Sequence, residues 1–153
     1  MQPRPEQIKR IKAALFLACL LPLARLAWLG FNDRLGANPI EFITHSTGWW
    51  TLAFVLITLG VTPLRKLTGL NWLLRLRRML GLFAFFYASL HFMTYFWLDQ
   101  YFDWMAIVKD IYKRPFITLG FAAFVLLIPL AATSTNAMVK RLGARRWLWL
   151  HRL

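Results

Sequence analysis

Four long apolar stretches dominate the chain, at residues 13–31, 47–61, 79–98 and 116–132. A helix needs about 20 residues, at about 1.5 Å rise each, to cross a hydrocarbon core. Each stretch is long enough or nearly so. The second is short as drawn, and extending it upstream through Phe42 and Ile43 takes in His45. The prediction is an all-α polytopic transmembrane bundle of four spans plus the start of a fifth, organised as one domain over residues 1–153. Composition agrees, since 59% hydrophobic and 16% charged residues is a balance that soluble domains rarely show.

The first stretch is too long for the apolar part of a cleavable signal peptide, and no small-residue cleavage site follows it, so it is expected to remain in the protein. Cys19, the single cysteine, lies inside it. That excludes an intramolecular disulfide and a cysteine metal site.

A net charge of +13 would suit a nucleic-acid binder, but the placement of the charges argues otherwise. Arg4, Lys9, Arg10 and Lys12 precede the first span; Arg65, Lys66, Arg75, Arg77 and Arg78 separate the second from the third; Lys140, Arg141, Arg145 and Arg146 follow the fourth. All of these fall on one side of an alternating topology. The other side holds Arg34, Lys109, Lys113 and Arg114 with Asp33, Glu41, Asp99, Asp103 and Asp110, five of the six acidic residues. By the positive-inside rule the N-terminus and the loop at residues 65–78 are cytoplasmic, and the acidic face is external, or periplasmic in a Gram-negative cell.

The external segment 99–114 mixes Tyr101, Phe102, Trp104 and Ile111 with its charges, as expected of an amphipathic piece on the membrane surface or of a docking face. Thr62-Pro63 is expected to close the second span. Thr133-Ser134-Thr135-Asn136, a run of cap-forming residues, is expected to end the fourth and start a short cytoplasmic turn. Trp147 then opens a seven-residue apolar segment reaching Leu153, too short to cross a bilayer, which reads as a fragment of a fifth span.

His91 is the position richest in chemical meaning. It lies within the third stretch, where an ionisable side chain is expensive without a partner or a role. Gly81, Ala84 and Ala88 precede it at helical spacing and Tyr95 follows, a stripe of small residues with room for something flat. A porphyrin is flat, mostly apolar and takes an axial imidazole, so haem is the simplest ligand. The alternative is that the small residues let two helices approach while His91 hydrogen-bonds across the interface. His151, beside Arg152 near the cytoplasmic boundary, is a ligand or a solvated surface group. His45, among Glu41, Thr44 and Ser46, reads as a surface histidine.

Taking Met79 and Trp147 as the cytoplasmic boundary puts His91 about 18 Å deep and His151 about 6 Å deep. Two imidazoles on one iron need similar depth, so a partner for His91 is expected beyond residue 153 and His151 would serve a second haem. Arg25 in the first span reads as a snorkelling residue or a propionate partner. Arg75, Arg77 and Arg78 are explained by topology, or by a propionate, quinone or flavin phosphate. A hydrolase or nucleotide-binding enzyme is disfavoured, because no phosphate loop, paired carboxylates or activated nucleophile appears. The lack of a carboxylate within a span argues against a proton-coupled carrier.

Several of these segments carry a resemblance. Thr62-Pro63-Leu64-Arg65, Arg77-Arg78-Met79-Leu80-Gly81-Leu82, Tyr87-Ala88-Ser89-Leu90-His91, Thr133-Ser134-Thr135-Asn136 and Leu150-His151-Arg152-Leu153 resemble the MsrQ/YedZ family of haem-binding membrane subunits. That family serves bacterial periplasmic methionine-sulfoxide reductases and belongs to the ferric-reductase-like transmembrane group of six-span proteins. The resemblance implies that His91 and His151 are haem-iron ligand positions, with haem b as cofactor. It also implies electrons drawn from the quinone pool or through a flavin such as FMN, and a periplasmic molybdopterin-containing methionine-sulfoxide reductase as acceptor. The chain would then be an electron-transfer subunit of the bacterial inner membrane rather than a stand-alone enzyme. A further family histidine in the fifth span, and the whole sixth span, fall beyond residue 153, so the haem-binding domain is expected to be incomplete at its C-terminus. A haem-free membrane anchor for a periplasmic partner is the alternative.

Overall fold

The computed structural model describes residues 3–151, which form helices and connecting turns with no strand among them. Helix α1 spans Pro5–Phe31 and α2 spans Pro39–Thr68. A 3₁₀ turn, Asn71–Leu73, leads into α3, Leu74–Met93, which continues as a π-helical turn over Thr94–Asp99. Then come α4, Trp104–Lys113; α5, Pro115–Ala132; α6, Asn136–Leu142; and α7, Ala144–Leu150. Four helical segments, Pro5–Phe31, Pro39–Thr68, Asn71–Asp99 and Pro115–Ala132, are long and apolar enough to cross a membrane. The expected all-α, multi-pass class holds.

The second span departs from expectation. Helix α2 passes through His45 and does not close at Thr62-Pro63 but continues to Thr68. A proline removes one backbone donor and crowds the turn before it, whereas unwinding in an apolar surrounding would strand several polar groups at once. The helix ends instead at Gly69, whose φ of +72° is open to a residue without Cβ and whose N–H donates to the Arg65 carbonyl at 2.8 Å. At its start Pro39 occupies the first helical position, and the Asn38 side chain accepts from the Glu41 N–H.

The residues up to Asp99 form one compact unit and those from Gln100 a second. In the first, α2 and α3 pack along their length with α1 beside them. The core is Cys19 of α1, Phe54 and Val61 of α2, and Leu76, Leu80, Phe83, Ala84 and Tyr87 of α3. The small stripe is filled by this packing: Ala84 and Ala88 are only 2% and 6% exposed, and a Cβ built on Gly81 would stand 3.6 Å from the Thr58 methyl of α2. Its role here is close helix approach, not open room for a flat ligand.

Tyr87 joins α3 to α1. Its ring stacks on Phe54, with centroids 5.1 Å apart, and its hydroxyl donates to the Cys19 carbonyl at 2.8 Å while accepting from the Leu23 N–H at 3.2 Å. Cys19 and Leu23 are four residues apart, the spacing an uninterrupted helix closes directly. Pro22 lies between them, so the hydroxyl serves backbone groups where the α1 ladder is weakest.

In the second unit the Asp103 carboxylate caps α4 by accepting from the Met105 and Ala106 N–H groups, each at 3.0 Å. Helix α4 packs on α5 and buries Ile107, while Thr118 of α5 donates to the Ile111 carbonyl. No residue of α5 is buried. The cap-forming run acts as expected: Thr133 ends α5 and Thr135 caps α6.

Tyr87→Phe keeps the stack and deletes the bridge. It is expected to lower stability by about 1 kcal/mol, the scale of interhelical hydrogen bonds in membranes, measured by unfolding in mixed detergent. An unchanged unfolding curve would contradict the bridge.

Candidate functional site

His91 sits near the end of α3 on the side packed against α2, half-buried at the level of residues 44–48. Its Nδ1 lies 3.0 Å from the Thr44 carbonyl oxygen and 3.3 Å from Thr47 Oγ1. A carbonyl only accepts, so the contact requires the proton on Nδ1. Thr47 Oγ1 has its own proton directed at the backbone, to the Ile43 carbonyl at 2.8 Å or that of Thr44 at 3.0 Å, so towards His91 it too accepts. The neutral ring then carries its lone pair on Nε2, which has no hydrogen-bond or ion-pair partner among the described residues. A donor of that kind, its orientation held through the other nitrogen, is the usual form of a metal-binding histidine. The residues therefore fit an axial ligand of haem.

Helix α2 makes room for the ring at Gly48. A Cβ there would stand 2.9 Å from His91 Cε1, closer than such atoms approach, and 3.2 Å from Nδ1, a tight contact. Thr44 also places its side-chain hydroxyl in the buried layer with no hydrogen-bond partner. Thr44, Thr47 and Gly48 were not singled out by sequence reading. Their spacing of three and four residues on one helix face was the available signal.

His151 has a different setting, within the second unit. Its Nε2 lies 2.9 Å from Thr133 Oγ1, and its ring stacks on Trp147 with centroids 4.2 Å apart. Trp147 Nε1 in turn donates to the Thr133 carbonyl at 2.9 Å. The Thr133 hydroxyl also lies 2.7 Å from the Pro129 carbonyl; when it donates there, it accepts from a protonated Nε2. Iron coordination through Nε2 requires that hydrogen bond to be given up. Arg152 and Leu153, the end of the motif around this histidine, lie outside the described residues.

The remaining candidates lie apart from the two histidines. His45 projects from α2 with Nε2 at 3.9 Å from the Glu41 carboxylate, both well exposed, as the surface reading expected. Arg25 is exposed on α1 and makes no ion pair among the described residues. Arg75, Arg77 and Arg78 fall in the first turns of α3. No group of three or more His, Cys, Asp or Glu side chains forms a metal-binding cluster among the described residues.

Comparison with known proteins adds three relatives and a family. The ferric reductase like transmembrane component matches residues 47–153. The protein-methionine-sulfoxide reductase heme-binding subunit MsrQ of Herminiimonas arsenicoxydans is 66% identical over 151 residues, 99% of this chain and 69% of that protein. The subunit of the same name from Ralstonia nicotianae is 62% identical over 149 residues, 97% of this chain and 69% of that protein. That from Azospira oryzae is 58% identical over 151 residues, 99% of this chain and 65% of that protein. No solved structure matches the chain.

The two histidines are expected to show opposite tautomers in protein prepared without haem and labelled with ¹⁵N-histidine. Nδ1 of His91 and Nε2 of His151 should each give the signal of a protonated ring nitrogen, and Thr133→Val should abolish the preference at His151 alone. A protonated Nε2 on His91 would contradict the geometry described.

Proposed function

The chain belongs to the ferric reductase-like transmembrane family and to its MsrQ branch, and from that premise we propose that it is a haem-binding electron-transfer subunit of the bacterial inner membrane. The observation that carries the reading is His91: an imidazole inside a membrane span, its Nδ1–H engaged by the Thr44 carbonyl and its Nε2 without a partner. A polar nitrogen in that position is costly unless something binds it. The names of the relatives, heme-binding subunits of protein-methionine-sulfoxide reductases, support the same ligand and a reductase partner.

Haem of the b type, held without covalent attachment, supplies a one-electron iron couple. His91 would hold it toward the external side, and His151 would be a second ligand position, serving a second haem nearer the cytoplasm. Residues 1–153 belong to one haem-binding domain. The basic clusters at residues 4–12, 65–78 and 140–146 favour a cytoplasmic N-terminus. Electrons come from the quinone pool or from a flavin such as FMN. They leave through the acidic external face to a periplasmic molybdopterin-containing methionine-sulfoxide reductase. The chain makes and breaks no bond of an organic substrate; it holds and orients the haem. A haem-free anchor accounts for the packed stripe of Gly81, Ala84 and Ala88 but leaves the bare Nε2 of His91 without a purpose.

Two measurements test the reading. Purified protein is expected to show a Soret band, and α and β bands on dithionite reduction. His91→Ala should lose most of the haem while still inserting, and His151→Ala should lose less; a folded His91→Ala protein with full haem would refute the ligand assignment. For sidedness, an impermeant thiol reagent applied to intact cells should label Tyr112→Cys, a position 90% exposed, and spare Lys66→Cys until the cells are opened. The reverse pattern would invert the topology.

A further inference from the structure

Three residues of α2 converge on one ring. The Thr44 carbonyl and the Thr47 hydroxyl both meet His91 Nδ1, at 3.0 and 3.3 Å, and Gly48 is the surface the ring lies against. Thr47 is 2% exposed and its hydroxyl proton is committed to backbone carbonyls, so its lone pair stays turned towards the imidazole. Gly48 stands one helical turn beyond Thr44, on the same face. Any side chain at 48 would enter the space of Cε1 and Nδ1.

We propose that Thr44, Thr47 and Gly48 form a seat on α2 that positions the His91 imidazole and sets the potential of the iron it binds. The proposal deepens the reading of His91 as a haem ligand and rests on it. The seat acts in two ways. Gly48 is steric: it fixes the plane and depth of the ring, so that Nε2 points along one direction. The Thr44 carbonyl and Thr47 hydroxyl are electronic: accepting from Nδ1–H makes the imidazole a stronger donor. A stronger donor favours ferric over ferrous iron and holds the midpoint potential down. Backbone supplies the main acceptor, so only Thr47 and Gly48 can be altered by substitution. These are positioning residues, since they act on iron through His91.

The test uses the full chain purified in detergent, with haem stoichiometry and the midpoint potential from a spectroscopic redox titration as readouts. Gly48→Ala is expected to weaken haem retention about 10-fold or more, the cost typical of disturbing the surroundings of a metal ligand. Gly60→Ala, in the same helix, places its Cβ where nothing lies within 4 Å and should retain haem like the wild type. Thr47→Val is expected to keep its haem and shift the potential to a more positive value, while Thr47→Ser, which keeps the hydroxyl, restores the wild-type value. Because Thr47→Val reads the electronic half without crowding the ring, it stands even if Gly48→Ala fails to fold. Wild-type haem retention in folded Gly48→Ala, or equal potentials for Thr47→Val and Thr47→Ser, overturns the seat. His91→Ala separates the two levels: if it keeps haem, the ligand reading falls first, and if it loses haem while the α2 variants behave as wild type, only the seat falls.

Discussion

A membrane interior contains no water to rescue a polar group that has lost its partner, so each one must be satisfied from within the protein. The spans of this chain obey that constraint in a consistent way. The hydroxyls of Thr47, Thr51, Thr58 and Ser89 each turn back to the carbonyl four residues earlier, at 2.7 to 2.9 Å. Where Pro22 weakens the α1 ladder, Tyr87 reaches across from α3 to serve the backbone on either side. The first unit is therefore held by apolar packing around Phe54 and Phe83, and by a polar group placed where the backbone needed one.

Against that background the exceptions become informative. The described atoms in or beside the spans that lack partners include the hydroxyls of Thr44 and Thr62 and the Nε2 of His91. Two of these three belong to residues in direct contact with each other through the Thr44 carbonyl. His151 shows the opposite condition, with its ring stacked on Trp147 and Nε2 engaged by Thr133. One histidine is held with its donor nitrogen bare. The other is held by that nitrogen.

Much of this was legible in the residues alone. Apolar length identified all four spans, and the rarity of an ionisable group in lipid pointed to His91. The cap-forming run at residues 133–136 announced the end of α5 and the start of α6. Three things were not legible. Proline at 63 read as a stop, because its local cost is visible in sequence while the larger cost of unwinding in an apolar surrounding is not. The small stripe allowed two readings, room for a flat ligand or close helix approach, because spacing places Gly81, Ala84 and Ala88 on one face without saying what fills it. The partners of His91 lie more than 40 positions earlier, on a helix whose register against α3 depends on side-chain packing and not on any local pattern.

Helix α5 differs from the other spans in burying no residue at all. Its entry into the bilayer draws on its own partition free energy, to which each Leu, Ile, Phe or Val adds roughly 0.3–0.6 kcal/mol at the helix centre. A single charge near its midpoint offsets several of those contributions.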